Sequence, residues 1–183
     1  MFFEKEIQRS TVYNGKIVNV RRDTAEITGG KHASREVVEH PGGVCIVPIA
    51  ADGTCWCVRQ FRYPFMTQLL EFPAGKLDEG EDPRTCAIRE LKEETGLVAG
   101  QLIDLGPMYP SPGYLNEVIH LYLALDLEEG AAQLDEDEYL SVEKHPVEAL
   151  LRMAKNGKIP DAKTTVGLFR AINHLEGDDD AQN

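Results

Sequence analysis

A continuous apolar run, Val44 to Ala50, constrains the fold of this chain more than any other segment. It follows the turn signal Pro41-Gly42-Gly43, and an uninterrupted run of this length is typical of a strand buried on both faces. Such a strand needs cover on each side. Because strands and helices mix along the rest of the chain, the sequence predicts a layered domain of the α/β or α+β class.

The segments around this strand are assigned from similar patterns. Residues 1–40 alternate apolar and polar positions around turns at Asn14-Gly15 and Gly29-Gly30, which predicts a meander of strands. We expect residues 1–40 to form a small β layer, residues 41–177 the main domain and residues 178–183 a disordered tail. The other predicted elements are strands at Cys55 to Phe61, Leu69 to Phe72, Leu102 to Leu105 and Val118 to Leu127, a loop at Ala74 to Glu81, and helices at 147–155 and 164–176.

One further helix has well-marked ends. Asp82 is a typical N-cap, Pro83 suits the first helical position, and Gly96 can end the helix. Its core-facing stripe is predicted to consist of four residues, Ala87, Ile88, Leu91 and Thr95. We therefore expect this helix to pack against the core through that stripe.

The same helix carries three glutamates, Glu90, Glu93 and Glu94, whose spacing places them on one side. Like charges packed in this way repel, and a bound divalent cation would offset the repulsion. Carboxylate oxygens of this kind suit Mg²⁺, which takes one or two carboxylates, several waters and substrate phosphates. The alternative interpretation is a solvated acidic face without a ligand.

The composition restricts the kinds of partner. A formal net charge of −12 argues against binding to nucleic-acid backbones, which requires clustered lysine and arginine. No apolar stretch approaches the roughly 18 residues that cross a bilayer, and the N-terminus lacks a signal-peptide pattern, so we expect a cytoplasmic protein without a membrane partner. Cys45, Cys55 and Cys57 lie in apolar, strand-like runs and Cys86 lies in a helix, so most of the four cysteines look like small buried hydrophobes. Cys55 and Cys57 are too closely spaced for the usual zinc site and lack a second pair nearby.

The surroundings of the three glutamates favour the metal-binding interpretation. Each neighbouring position has a physical use: Gly75 allows a tight loop before the helix, and Arg89 can pair with Glu81 to tie that loop to the helix. The segment as a whole resembles the complete Nudix box, with the positions Gly75, Glu81, Arg89-Glu90-Leu91, Glu93-Glu94 and Gly96-Leu97. The resemblance to the Nudix hydrolase family implies an α/β/α sandwich with a mixed sheet.

The resemblance also implies roles for individual residues. Glu90 and Glu94 are expected to be metal ligands, and the backbone carbonyl of Ala74 is expected to be a further ligand. Glu93 lies close enough to share metals or to assist proton transfer. The ion is expected to be Mg²⁺, with Mn²⁺ as an alternative.

Segments outside the box resemble the ADP-ribose pyrophosphatase-like members of the family. The loop Ser111-Pro112-Gly113 matches their proline marker, and Glu117 lies in the same substrate-contacting loop; an ordinary Pro-Gly turn and a surface glutamate are the alternatives. The run Arg59 to Pro64, followed by Leu70 to Gly75, resembles the strand and the segment before the box in those enzymes. Within it, Arg62 is the candidate phosphate ligand, because a guanidinium group suits phosphate oxygens. Lys76 is a further predicted substrate-binding residue.

The pair Arg35-Glu36 resembles strand residues that, in those relatives, reach across a homodimer to hydrogen-bond the adenine. The resemblance therefore implies that residues 1–40 form a dimerisation layer and that each active site is composite. The alternative is an ordinary cross-strand ion pair.

The acidic run Asp135-Glu136-Asp137-Glu138 follows the strand predicted at Val118 to Leu127. In ADP-ribose hydrolases a mobile acidic loop at this place closes over the substrate, which implies that Glu136 is the catalytic base and Glu138 a metal ligand. A slip of one or two residues would exchange these roles. A Ca²⁺-binding loop is the other interpretation, but the run lacks the spaced ligands and the glycine of an EF-hand.

Together these features predict Mg²⁺-dependent hydrolysis of the diphosphate of ADP-ribose to AMP and ribose 5-phosphate. Two alternatives stay open: hydrolysis of another nucleoside diphosphate derivative, such as a nucleotide sugar, NADH or a dinucleotide, and a non-catalytic Nudix module that only binds its ligand. The intact Glu90, Glu93 and Glu94 favour an enzyme, since degenerate members tend to lose such acids.

Overall fold

The computed structural model describes residues 2–132 and 139–180, the last three of these by their backbone alone. By its internal contacts the chain forms two compact units. The first comprises the chain up to Gly42 together with Tyr109–Val118, and the second comprises Gly43–Met108 and the chain from Ile119 onward. The N-terminal part of the first unit ends at Gly42, one residue after the start predicted for the main domain, and residues 109–118 belong to the same unit.

The first unit is a three-stranded antiparallel sheet in the order β1-β2-β3. The strands are β1 (Glu4–Asn14), β2 (Asn19–Ile27) and β3 (Lys31–Glu39). Residues 109–118 lie along β3, where the Val38 N–H donates to the Tyr114 carbonyl at 2.7 Å and the Asn116 N–H donates to the Val38 carbonyl at 3.1 Å. The predicted meander of strands in residues 1–40 is confirmed.

The second unit contains two sheets and three helices. Its elements are β4 (Gly43–Pro48), β5 (Thr54–Arg62), β6 (Thr67–Glu71), β7 (Ala74–Lys76), α1 (Pro83–Thr95), β8 (Leu97–Met108), β9 (Ile119–Glu129), β10 (Leu140–Pro146), α2 (Val147–Lys155) and α3 (Ala162–Asp180). One sheet has the order β7-β4-β9-β8, and the other has the order β10-β5-β6. The first of these is mixed, because β4 and β9 are parallel while the other neighbours are antiparallel.

Strand β4 is buried along its whole length, as its apolar run predicts. Alternate residues point to opposite faces of the sheet. On one face Val44 and Ile46 belong to an apolar cluster that includes Leu91 of α1, whereas on the other face Cys45 and Val47 join a second cluster. The second cluster includes Leu150 of α2 and the α3 residues Leu168 and Ala171. The predicted α/β/α sandwich is confirmed.

Several predicted details are wrong. The segment predicted as a loop at Ala74 to Glu81 begins with β7, which pairs with the edge of β4. Ile88 is 52% exposed, and Cys86 is buried in its place, because the packed face of α1 is turned from the predicted stripe. Helix α3 continues to Asp180, beyond its predicted end and into the predicted tail, of which residues 181–183 lie outside the described residues.

The four cysteines, Cys45, Cys55, Cys57 and Cys86, are free and buried, as their apolar surroundings predict. Burial raises the pKa of the Cys86 thiol to about 12, so it is protonated at neutral pH. Each thiol therefore acts as a small packing group.

Across the described parts of the chain, no helix combines the length and the apolar character needed to span a membrane.

Candidate active site

Helix α1 begins and ends where the sequence predicts. The Asp82 carboxylate accepts hydrogen bonds from the Arg84 and Thr85 N–H groups at 3.0 and 3.1 Å, and Pro83 opens the helix. At the other end Gly96 adopts φ 74°, and its N–H donates to the Lys92 carbonyl at 2.8 Å. These caps fix the register of the acidic residues between them.

Two of the three predicted acids are buried side by side along α1. Glu90 is 8% exposed and Glu94 is 2% exposed. The Glu94 carboxylate accepts a hydrogen bond of 2.9 Å from the Ala74 N–H, and a Cβ atom at Gly75 would overlap the Glu90 carboxylate. The backbone of β7 therefore lies directly against both acids, which brings together the predicted ligands Ala74, Glu90 and Glu94.

Gly75 serves a different purpose from the one predicted. It lies within β7 rather than in a tight loop, and its missing side chain leaves the space that the Glu90 carboxylate occupies. A glycine in a strand often marks such a close approach.

Arg89 joins three carboxylates. It forms a bidentate pair with Glu81 at 3.0 and 2.9 Å, as predicted, and Nη1 donates to Glu90 at 2.7 Å and to Glu93 at 3.0 Å. Hydrogen bonding to Arg89 lowers the pKa of Glu81 to about 2, and Glu81 in turn raises the pKa of Arg89. One guanidinium group neutralises only one of these three acids, so the cluster stays anionic and suits a cation.

The pKa of Glu81 predicts how this pair responds to acid. Its folded-state pKa of about 2 lies below the ordinary value of 4.5, so the stabilisation is complete above about pH 4.5 and is lost as the pH falls towards 2. Urea unfolding of the wild type and of Glu81→Gln should differ most in free energy at about pH 6, and the difference should shrink steadily as the pH falls from 4.5 towards 2. The exposed Glu79, replaced as Glu79→Gln, is the control. A difference independent of pH would contradict the assignment.

Arg62, the predicted phosphate ligand, forms a bidentate pair with Glu71. Arg62 Nε and Nη2 each donate to a different Glu71 oxygen at 2.7 Å. The Glu71 side chain is 1% exposed, whereas that of Arg62 is 37% exposed. Burial alone would raise the pKa of Glu71, but the hydrogen bonds of Arg62 and the charge of Lys163 more than reverse this, so the pKa lies below its ordinary value. Glu71 is therefore ionised and orients Arg62.

Three residues near Glu71 are not among the predicted site residues: Asp161, Lys163 and Thr164. The sequence after residue 145 contains no recognisable functional motif. Lys163 Nζ contacts Glu71 and lies 2.9 Å from Asp161. The Thr164 hydroxyl accepts a bond from the Phe72 N–H at 2.9 Å and donates to Asp161 at 2.6 Å. The spacing of Asp161 and Thr164 signals the start of a helix, but their partners lie far away in the chain.

Glu93 and Lys76 are more accessible than the buried acids. The Glu93 side chain is 34% exposed and is held by Arg89. Lys76 is exposed at the end of β7, where its backbone carbonyl accepts a bond from Arg89 at 3.3 Å. Of the predicted acidic loop, Glu136 and Glu138 lie outside the described residues.

The remaining predicted substrate-binding residues all lie in the first unit. Arg35 forms an ion pair with Glu4 at 2.6 Å, and Glu36 is exposed on β3 opposite Arg22. Within residues 109–118, the Ser111 carbonyl accepts a bond from the Leu115 N–H at 3.0 Å. Pro112 and Gly113 are exposed, and Glu117 lies 3.2 Å from the His40 ring.

Comparison with known proteins gives consistent results. The NUDIX domain model matches residues 39–166. The ADP-ribose pyrophosphatase of Bacillus subtilis (strain 168) is 37% identical over 175 residues, covering 94% of this chain and 92% of that protein. The methanol dehydrogenase activator of Bacillus methanolicus is 39% identical over 178 residues, covering 96% and 94%. The crystal structure of an ADP compounds hydrolase matches with a TM-score of 0.83 and 26% identity, covering 96% of this chain and 95% of that one.

The matched region includes α1 with its three glutamates and the β7 backbone that lies against two of them. Since the family model covers more than half of the sequence and the relatives match nearly all of it, the chain belongs to the NUDIX domain family.

Proposed function

We propose that this chain hydrolyses the diphosphate of ADP-ribose to AMP and ribose 5-phosphate, with Mg²⁺ as its cofactor. The observation that carries the proposal is the burial of Glu90 and Glu94 against the backbone of Ala74 and Gly75, inside the matched NUDIX region. A relative named as an ADP-ribose pyrophosphatase and the likeness to an ADP compounds hydrolase support this class of substrate.

The donor atoms at this place fit a divalent cation. Mg²⁺, or Mn²⁺ instead, would be held by Glu90, Glu94 and the Ala74 carbonyl, with Glu138 as a further ligand. When bound, the ion neutralises the diphosphate and lowers the pKa of the attacking water. Within residues 2–132 and 139–180 no group of three or more His, Cys, Asp and Glu side chains is placed to hold a metal ion.

Other residues of the chain would bind the phosphates of the substrate and move the proton of the attacking water. Arg62 would donate N–H groups to the phosphate oxygens, because Glu71 takes two of its five donors and leaves the others for a ligand. Lys76 would add positive charge beside β7. Glu136 would take the proton of the attacking water, and Glu93 would assist that transfer.

The substrate's adenosine side would be bound by residues of the first unit. In this proposal Arg35 and Glu36 bind the adenine of a partner copy's substrate, whereas Ser111, Pro112, Gly113 and Glu117 form the substrate-contacting loop. Arg35 would exchange its ion pair with Glu4 for the ligand. The proposal requires a homodimer, which sedimentation equilibrium tests, and a monomer at assay concentrations would contradict it.

Strand β1 is a suitable surface for such an assembly. Each of its residues is exposed, including the large apolar side chains of Ile7, Val12 and Tyr13. It is also the edge strand of its sheet, and an edge strand can pair with a strand of another copy. We place the protein in the cytoplasm, where its four free thiols stay reduced.

A substrate panel tests the activity directly. We expect ADP-ribose to give the highest kcat/KM among ADP-ribose, GDP-mannose, NADH and diadenosine polyphosphates, with AMP and ribose 5-phosphate as products only when Mg²⁺ or Mn²⁺ is present. If another diphosphate is preferred, the inference from Pro112 is wrong and the metal-dependent chemistry stands. If ligands bind without turnover, the chain is a non-catalytic module and the proposed activity is wrong.

A further inference from the structure

The start of α3 places a second cation on the carboxylate that holds Arg62. Lys163 Nζ contacts the same Glu71 oxygen, Oε2, that accepts from Arg62 Nη2, and the Lys163 side chain is only 13% exposed. Asp161, at 2.9 Å from Lys163, balances its charge. Arg62 alone would neutralise Glu71, so overall charge balance does not explain the presence of Lys163 and Asp161.

This charged group is joined to the backbone that leads into the candidate active site. Every residue of the segment 71–74 is held by a side chain or backbone group of another element. The hydrogen bonds run from the Phe72 N–H to Thr164 Oγ1 at 2.9 Å, from the Ile46 N–H to the Pro73 carbonyl at 2.9 Å, and from the Ala74 N–H to Glu94 Oε2 at 2.9 Å. These bonds hold the backbone of residues 72–74 in place, so a change at the Glu71 side chain reaches Arg62 rather than the candidate metal ligands.

The geometry around Glu71 suggests what the lysine does. A bidentate arginine pair needs two parallel N–H···O bonds, so the guanidinium plane follows the plane of the carboxylate. Lys163 fixes one oxygen of that carboxylate from the side of α3. Without Lys163 the carboxylate would keep only its pair with Arg62, and the plane that the guanidinium follows would be less restricted.

We infer that Lys163 is a positioning residue, which acts through Glu71 to aim the Arg62 guanidinium at the diphosphate of the substrate. The inference rests on the proposed role of Arg62 as a phosphate ligand. It assigns a part in substrate binding to α3, whose residues lie more than ninety positions away from Glu71 in the sequence.

A double-mutant cycle tests this inference. Arg62→Met should lower kcat/KM for ADP-ribose about 10- to 100-fold, the value of a charge-assisted hydrogen bond. Lys163→Met, which keeps the length of the side chain, should lower kcat/KM about tenfold, mainly through a higher KM. The double variant should be no worse than Arg62→Met, because a residue that acts through Arg62 has nothing left to position. The exposed Lys158, replaced as Lys158→Met, is the matched control.

Calorimetric binding of ADP-ribose without divalent metal should follow the same non-additive pattern, and Lys163→Gln, which keeps a hydrogen-bond donor, gives a milder variant if Lys163→Met is poorly folded. Independent, multiplying losses in the double variant, or a normal KM in both Lys163 variants, would overturn the inference and leave the proposed function intact. Normal kcat/KM in Arg62→Met would overturn the proposed role of Arg62, and with it the role of Lys163.

Discussion

Replacing Glu94 with glutamine is expected to lower kcat about a thousandfold or more while the fold stays intact, because a bound metal ion contributes several kcal/mol and each 1.36 kcal/mol is a factor of ten. The Glu94 carboxylate is 2% exposed and accepts the Ala74 N–H at 2.9 Å. Glutamine has nearly the same shape, and its carbonyl oxygen can accept that bond. What the variant loses is the negative charge that would hold the ion.

The measurement is kcat for ADP-ribose at increasing Mg²⁺, with the melting temperature of each protein recorded beside it. The variant should need more Mg²⁺ for half-maximal activity, and its melting temperature without metal should stay close to that of the wild type. Glu148, an exposed glutamate in the first turn of α2, provides the control variant Glu148→Gln. Near-normal turnover in Glu94→Gln would exclude Glu94 from the metal site.

The parts of the candidate site that the sequence predicts are those whose contacts are local. Asp82 caps the residues that directly follow it, and Gly96 ends the helix through a bond to Lys92. Arg89 reaches Glu81 within the same loop and helix. Such contacts depend on spacing along the chain, which can be read before any tertiary structure is known.

The parts that could not be predicted depend on how distant elements pack. Spacing shows that Glu90, Glu93 and Glu94 share a side of α1, but only the packed structure buries two of them and leaves Glu93 about one-third exposed. For the same reason the predicted core-facing stripe of α1 includes Ile88, which is exposed. The partners of Arg62 are a further case, since nothing in the local sequence links Glu71 to Lys163.

The contact between Gly75 and Glu90 is another consequence of packing, and it leads to the second large effect. Gly75→Ala is expected to lower kcat about a hundredfold, since a displacement of about 1 Å in a catalytic group can cost that much. Alanine fits the β-strand conformation of Gly75, but its Cβ would overlap the Glu90 carboxylate. The end of a glutamate side chain can move at little cost, so the fold should tolerate the change while the carboxylate leaves its place.

Pairing this change with Glu90→Gln shows whether the glycine acts through that acid. If it does, Gly75→Ala should cause little further loss of kcat in the Glu90→Gln background, because the charge that it displaces is already absent. Gly177→Ala is the matched control, since a Cβ there meets open space. Full activity in Gly75→Ala would mean that Glu90 works from more than one position. Equal losses in both backgrounds would place the effect in β7 itself, where Ala74 carries both the hydrogen bond to Glu94 and the proposed carbonyl ligand.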